Sequence, residues 1–482
     1  MTARFTLAEA AIAAAAQVER TGGLLPGGAF DGVFTDSRKP APGALFVALR
    51  GERHDGAAFA VQAAKAGAGG VLVQPQGAGA VLEGLARTGQ DVAVLVAADT
   101  GRALLGLGRA WRGRQPTLRP VAITGSAGKT STKELIGAVL AAAGPTLKTE
   151  GNLNNEIGVP LTLLRLEAEH RFAAVECGMN HLGEIARLCA AVDPEVAVVT
   201  NVAPVHLEGC GSLEGVAAAK GELFHGLRAG AAAVANADDP LVLEQARLSG
   251  RRLLSFGRAE GADVRLLSAV HGGPGLLVEL SLRGHRASAA LQLIGLHNGL
   301  NACAAAAAAL ALGLTTAEIL QGLEAARTPG RRMKPVRLAG GALLIDDCYN
   351  ANPASTRAAL ETVRALLPPG GRALLVLGDM LELGPAELQL HASLGPLAAS
   401  IGPSGPSLLV AFGVRARALA AAAVEAGLPE ERVLRTEDPA EAARAVQAHA
   451  RPADVILVKG SRGMRMERIS DLLTPFAPEG AH

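Results

Sequence analysis

Short apolar runs rich in valine, isoleucine and leucine alternate along this chain with alanine-rich stretches of helical period, and that alternation leaves few folds open. VAIT at 121–124, FAAVE at 172–176 and VAVVT at 196–200 each give way to a helical pattern, over 132–143, 184–191 and 213–227, and AAAVAN follows at 231–236. A strand covered on both faces reads as a continuous apolar run, and a strand followed by a helix crosses over before it pairs in parallel. The series therefore predicts a parallel sheet sandwiched by helices.

A second series follows Pro329-Gly330: LLID from 343, ALLVLG from 373, LLVAFG from 408 and DVILVKG from 454, with helices near 354–366, 414–426 and 439–450. It resembles a separate Rossmann-like unit. Before Pro116 and Pro120, which suit a linker, LFVAL, GGVLVQ and VAVLVA read as strands between shorter helices. The fold class is thus α/β in three domains, 1–118, 119–328 and 329–482, with hinges expected near 118 and 329. The first residues, MTARFTLAEAAIAAAAQ, read as an amphipathic helix rather than a signal peptide, because Glu9 interrupts the apolar stretch and no basic region leads into it. The most apolar window, Cys303 to Leu314, is shorter than the ~20 residues of a bilayer span and predicts a buried helix. No membrane insertion and a cytoplasmic location are expected.

With 49% hydrophobic residues among 482, the chain can bury several cores. Its 46 basic and 45 acidic side chains leave no electrostatic footprint for nucleic acid. Cys177, Cys189, Cys210, Cys303 and Cys348 are odd in number without a C-x-x-C pair, which predicts reduced packing thiols rather than disulfides or zinc ligands.

VAITGSAGKTST, residues 121–132, breaks from a strand into a glycine-bounded loop that ends in Gly128-Lys129-Thr130 where a helix should begin. Backbone amides of such a loop point at an anion, while a lysine and a hydroxyl reach the terminal phosphate and its magnesium. ATP binding by Gly125, Ser126, Ala127, Gly128, Lys129, Thr130 and Ser131 is predicted, although Gly125 precedes Gly128 by three residues, closer than in the common phosphate loop. A turn needing glycine, with a surface lysine, is the plain alternative. Ligands of open α/β sheets sit beyond the carboxyl ends of the strands, so Glu176, Asn201, His206, Asn236, Asp238 and Asp239 should converge on this loop. A carboxylate there suits Mg²⁺, for which the imidazole of His206 is a less ordinary ligand. Taken singly, Glu176 could cap a turn at Gly178 and His206 could be a polar loop residue.

GSAGKTSTKE, TEGNLNNEIGVPLTLL, VECGMNHLGEI, TNVAPVHLEGCGS, AAKGEL, GLHNGLNA, DDCYNANPAS, LGDMLELG and VKGSRGM occur in this order, and TDSRKPAPGALFVALRGERHDG precedes them at 35–56. Together they resemble the bacterial Mur ligases over nearly the whole chain. NNEIGVP, YNANP and GDMLELG resemble the branch that joins D-alanyl-D-alanine (D-Ala-D-Ala) to UDP-N-acetylmuramoyl-tripeptide. Departures are Cys348, where Ser or Thr is usual, ECGMN in place of an EMGAN-like string, and the doubled Arg331-Arg332.

The resemblance implies a cytoplasmic, monomeric, ATP-dependent amide ligase of peptidoglycan synthesis that works through an acyl phosphate. Its N-terminal domain would bind the UDP substrate through Ser37 and Arg38, its central domain ATP, and its C-terminal Rossmann-like domain the acceptor. It implies Lys129, Glu176, His206 and Lys220 as catalytic residues and Thr130, Glu176, His206 and carbamylated Lys220 as ligands of two Mg²⁺ ions. Asn298, Arg331 or Arg332, and Asp347 (beside Asp346) would handle ATP. Tyr349, Asn350, Asn352, Lys459 and Arg462 would face the dipeptide or the nucleotide. Read from the residues alone, Lys220 is a solvated helix lysine, Asn298 an N-cap, the Asn-Pro cluster a turn, Lys459 and Arg462 partners of the following helix, and Ser37-Arg38 a surface loop. A folylpolyglutamate-type ligase, another cell-wall ligase and a non-catalytic nucleotide-binding regulator are the rival readings.

Overall fold

The computed structural model describes residues 3–23, 28–51, 54–272, 275–327 and 330–474. The apolar runs form strands as read, because each is buried on both faces by helices that the intervening segments supply. Among the described residues the central sheet has nine strands, in the order His285–Leu291, Gly275–Leu282, Val264–Gly272, Arg252–Gly257, Ala232–Asn236, Val196–Val199, Arg119–Thr124, Phe172–Glu176, Thr146–Lys148. The first three pair antiparallel and the rest parallel. From Arg119–Thr124 the chain runs first to one side of the sheet and later returns to the other. The glycine loop thus leaves the sheet at its topological switch point, where a crevice opens.

In the third unit the order is Lys334–Arg337, Leu343–Asp347, Val455–Lys459, Ala373–Gly378, Leu408–Phe412, Val433–Thr436. The last strand in sequence inserts between two earlier ones, so the loops after Asp347, Lys459 and Gly378 lie side by side. The first unit has a five-stranded sheet, Gln17–Arg20, Ala93–Val96, Gly70–Val73, Leu45–Val47, Val33–Phe34, parallel except at its first pair.

Two expectations change. The N-terminal stretch is not one helix. Arg4–Thr6 pairs antiparallel with Ala29–Asp31, and only Leu7–Ala13 is helical. Thr6 and Glu9 form a reciprocal capping box that starts the helix after the strand, and Ala15 at φ 49 turns the chain into Gln17–Arg20. Nor is the Pro116–Pro120 segment a free linker, since Arg119 and Pro120 already belong to a strand. One hydrophobic core passes from Phe5, Leu95 and Leu104 through Trp111 to Val159, Leu188 and Phe224 without a break. The helix Thr100–Gly113 joins the two units. Trp111 Nε1–H donates to Leu166 O at 3.0 Å, and Arg112 donates to Val192 O and Asp193 O, each at 3.0 Å. The other expected boundary, at 329, lies outside the described residues.

The apolar window around Cys303 is part of the helix His297–Ala311, packed under the central sheet, and no helix among the described residues is long and apolar enough to cross a membrane. All five cysteines are free and buried, as packing residues should be.

Candidate active site

The glycine loop is shaped by two glycines whose surroundings leave little room for a side chain. Gly125, at φ 151, would drive a Cβ to 1.8 Å from Thr200 Oγ1. Gly128, at φ 79, is left-handed and hands the chain to the helix Lys129–Ala143, whose N-terminus no side chain caps. That end presents its partial positive charge to the crevice. The loop is braced from the neighbouring strand: Asn201 accepts from the amides of Ser126 at 2.9 Å and Ala127 at 2.8 Å. These two amides, expected to face an anion, are therefore spent on Asn201 in this structure, while Ser131 stays half-buried in the first helical turn.

Lys129 folds back to donate to Gly125 O at 2.7 Å. Burial lowers its pKa, the Glu176 carboxylate opposes that, and the Arg332 guanidinium reinforces it. Thr130 Oγ1 donates to Glu176 Oε2 at 2.9 Å and Asn154 Nδ2 to Glu176 Oε1 at 2.8 Å. Glu176 thus does not cap the turn at Gly178. It stands at the loop's hydroxyl, held through its own N–H by Thr149 Oγ1 at 3.0 Å, and buried Lys133 in turn fixes the Thr149 carbonyl at 2.7 Å.

His206 takes a left-handed φ of 56 and shares the electrostatic field of Lys129 and Lys220. Burial first, then those two cations, push its pKa down to about 4, which keeps the imidazole neutral. Lys220 is only 2% exposed. The reading of a solvated lysine fails here, because the helix Leu213–His225 turns that face into the core. Burial and the nearby Lys129 charge lower its pKa well below the ordinary lysine value.

Asn298 is not an N-cap. Its Nδ2 donates to Ile294 O at 2.7 Å, and its Oδ1 accepts from Asn301 at 2.9 Å, whose Oδ1 accepts from Thr132 of the phosphate-loop helix at 3.1 Å. Asn301 was missed from the sequence, although its spacing of three from Asn298 puts both on one helix face. Of Asn236, Asp238 and Asp239, Asp239 reaches the loop that carries Asn201, accepting from Val202 N–H at 2.7 Å. Asn236 holds Thr200 O, Asp238 accepts from the amides of Arg258 and Ala259, and Asp239 caps the helix Pro240–Leu248. In the first unit Ser37 and Arg38 sit in a surface loop, with the exposed Arg38 bonded to its neighbour Asp36 at 2.8 Å.

Across the crevice the two neighbouring arginines make different contacts. Arg331 is engaged by Asp346 at 3.1 Å and Asp471 at 2.5 Å, whereas Arg332 stacks 3.9 Å from the Tyr349 ring centroid and acts electrostatically on Lys129. Asp347 ends the strand Leu343–Asp347, accepting from buried Lys459 at 2.6 Å and from Met333 N–H at 3.0 Å. Lys459 also holds Asn350 O at 3.0 Å. Asn352 is a cap: it starts the helix Pro353–Leu366 through a reciprocal pair with Ser355. Arg462 lies 5.9 Å from the Tyr349 ring on the side chain's exposed flank. Cys348, the departure from Ser or Thr, still donates to Asp346, at 2.7 Å.

Profiles of the Mur ligase family match this chain in three places: the catalytic domain over 29–99, the middle domain over 123–309 and the glutamate ligase domain over 331–462. The UDP-N-acetylmuramoyl-tripeptide–D-alanyl-D-alanine ligase of Escherichia coli is 40% identical over 442 residues, 91% of this chain and 92% of that protein. The chain belongs to the Mur ligase family. The Bacillus subtilis ligase of the same description is 34% identical over 91% of this Mur ligase and 92% of its own length. In structure, MurF of Acinetobacter baumannii superposes with a TM-score of 0.85 at 33% identity, covering 98% of this chain and 99% of that one. MurF of Thermotoga maritima, solved with ADP, gives 0.80 at 26% identity, covering 92% and 97%. A Mycobacterium tuberculosis folylpolyglutamate synthase shares the fold, with a TM-score of 0.61 at 18% identity.

Proposed function

We propose that this Mur ligase joins D-Ala-D-Ala to UDP-N-acetylmuramoyl-tripeptide, converting ATP to ADP and phosphate. Ligases of that description align over 91% of the chain, and this observation carries the reading. A carboxylate and an amine do not condense unaided in water, so the carboxylate must first take the γ-phosphoryl group as an acyl phosphate, and the amine then displaces phosphate. Joining one anion to another needs concentrated positive charge. Lys129, released from Gly125 O, reaches the γ-phosphate; the uncapped helix end receives the neighbouring phosphates, and Arg332 approaches from the third unit. Asn298, Asn301 and Asp347 belong to the nucleotide side. Ser37 and Arg38 are proposed for the UDP group, and Tyr349, Asn350 and Arg462 for the acceptor; Lys459 and Asn352 act by fixing those loops.

Among the described residues no group of three or more His, Cys, Asp or Glu side chains is placed to hold a metal ion by itself. Mg²⁺ would be carried largely by nucleotide phosphates and water. Thr130 and Glu176 would be its protein oxygens, with His206 and Lys220 at a second ion; bound there, magnesium would neutralise phosphate charge. The low pKa of Lys220 favours a neutral amine, which can add CO₂ to give a carbamate and a proton. Native mass spectrometry should show one added CO₂, and acetate should restore part of the rate of Lys220→Ala; an unmodified, fully active Lys220→Ala enzyme would refute the carbamate. The working units are proposed as 1–118, 119–328 and 329–482, in a cytoplasmic monomer. Phosphate release with D-Ala-D-Ala and each of the two tripeptides, bearing diaminopimelate or lysine, tests the main reading. No release with either would overturn it.

A further inference from the structure

Three loops leave the carboxyl ends of adjacent strands in the third unit, after Asp347, Gly378 and Lys459, and one buried side chain touches all of them. Ser461, 3% exposed, donates its hydroxyl to Ala351 O at 3.2 Å and accepts from Leu381 N–H at 2.8 Å. Its own N–H donates to Asp379 O at 3.0 Å. The amide just before Leu381 is claimed from the other direction: Met380 N–H donates to His391 Nε2 at 2.9 Å. Since that nitrogen accepts, the His391 proton sits on Nδ1, which donates to Glu387 O at 2.6 Å. His391 is 0% exposed, and its two ring nitrogens are fixed between Met380 and Glu387. Beyond the two anchored amides the chain enters the left-handed region at Glu382, φ 64, and again at Gly384, φ 64. A non-glycine residue held there is strained and persists only where its surroundings over-determine it. Gly384 then rests against the side chain of Glu208, two residues after His206; a Cβ on it would lie 3.5 Å from Glu208 Oε1.

We infer that Ser461 and His391 are positioning residues for the acceptor: together they fix the 379–384 loop against the Tyr349–Asn352 and Gly460–Arg462 loops in the single arrangement that receives the incoming dipeptide. This rests on the proposed ligase reading. Ser461 works between Lys459 and Arg462 without offering its own hydroxyl, whose donor and acceptor capacity is used internally. His391 lies buried on the helix Glu387–Ala392 and supports the loop through Met380 N–H.

Kinetics of Ser461→Ala, His391→Phe and His391→Gln on the full chain test the inference, with thermal midpoints measured alongside. Leaving a buried amide without its acceptor should raise KM for D-Ala-D-Ala by about tenfold in Ser461→Ala and His391→Phe, with KM for ATP unchanged. His391→Gln, whose Oε1 can still accept from Met380 N–H, should recover much of that loss. A merely structural role would lower the midpoint and move both KM values together, or neither, and either pattern in these variants overturns the inference. If Ser461→Ala yields no folded protein, the two His391 variants decide. Failure of the wild-type enzyme to use D-Ala-D-Ala would instead sink the underlying reading, so the two failures are told apart.

Discussion

Lys129 donates to the carbonyl of Gly125, so its amine is aimed across the loop. Lys129→Ala should cut phosphate release by a factor of about 10²–10³, as loss of a preorganised charge-stabilising group does, without unfolding the chain; near-normal turnover of a folded variant would dismiss the phosphate-loop assignment. His297 bears on stability. Its ring is half-buried, but Nδ1 is sealed from solvent without a hydrogen-bond partner, and burial brings the pKa from 6.5 to about 4 against the pull of Asp347. The folded state then binds fewer protons than the unfolded chain between those values. Its stability is full above pH 6.5, falls as pH drops through the window and levels off below about 4. Denaturant titrations should show that slope reduced in His297→Asn. At this scale the sequence was legible only where chemistry is local. The Gly125-to-Thr130 string declared itself, whereas Lys220 read as solvated because nothing nearby in sequence reveals that the helix face carrying it is covered. Arg331 and Arg332 could not be separated, since distant Asp471 is what takes Arg331 away.

Among elements, the helix Thr100–Gly113 bears the most on assembly. Gly108 lets it approach Pro160 so closely that a Cβ would fall 2.7 Å from Pro160 Cα. Gly108→Val should therefore destabilise by about 1–3 kcal/mol through overpacking, and Trp111→Ala by about 3–5 kcal/mol through the cavity it leaves. Urea unfolding of both checks this, and unchanged midpoints would mean that the helix is not the joint described here. The strands were readable because valine-rich runs buried on both faces have no polar alternation to confuse them with loops. Arg4–Thr6 was not, because three residues are too few to show a period, although the Thr6-to-Glu9 capping signature that ends it stands in the sequence.

For the whole molecule, the first two units share one continuous core, which crosses the expected boundary at 118. Closure that shields the acyl phosphate from water should then move only the third unit. Small-angle scattering with an ATP analogue and the UDP-tripeptide should fit a two-body rearrangement; a fit that requires motion at 118 would contradict it. The sequence showed three sheets and could not show that two of them share a core, since packing between units leaves no periodic mark. The shared core also sets an order of events at the ribosome. Residues that complete it reach as far as Ala246, so Trp111 and Phe5 emerge long before the surfaces that cover them are made. At ordinary synthesis rates that interval is on the order of ten seconds, during which the nascent first unit displays an unfinished apolar face and is the natural client of a chaperone.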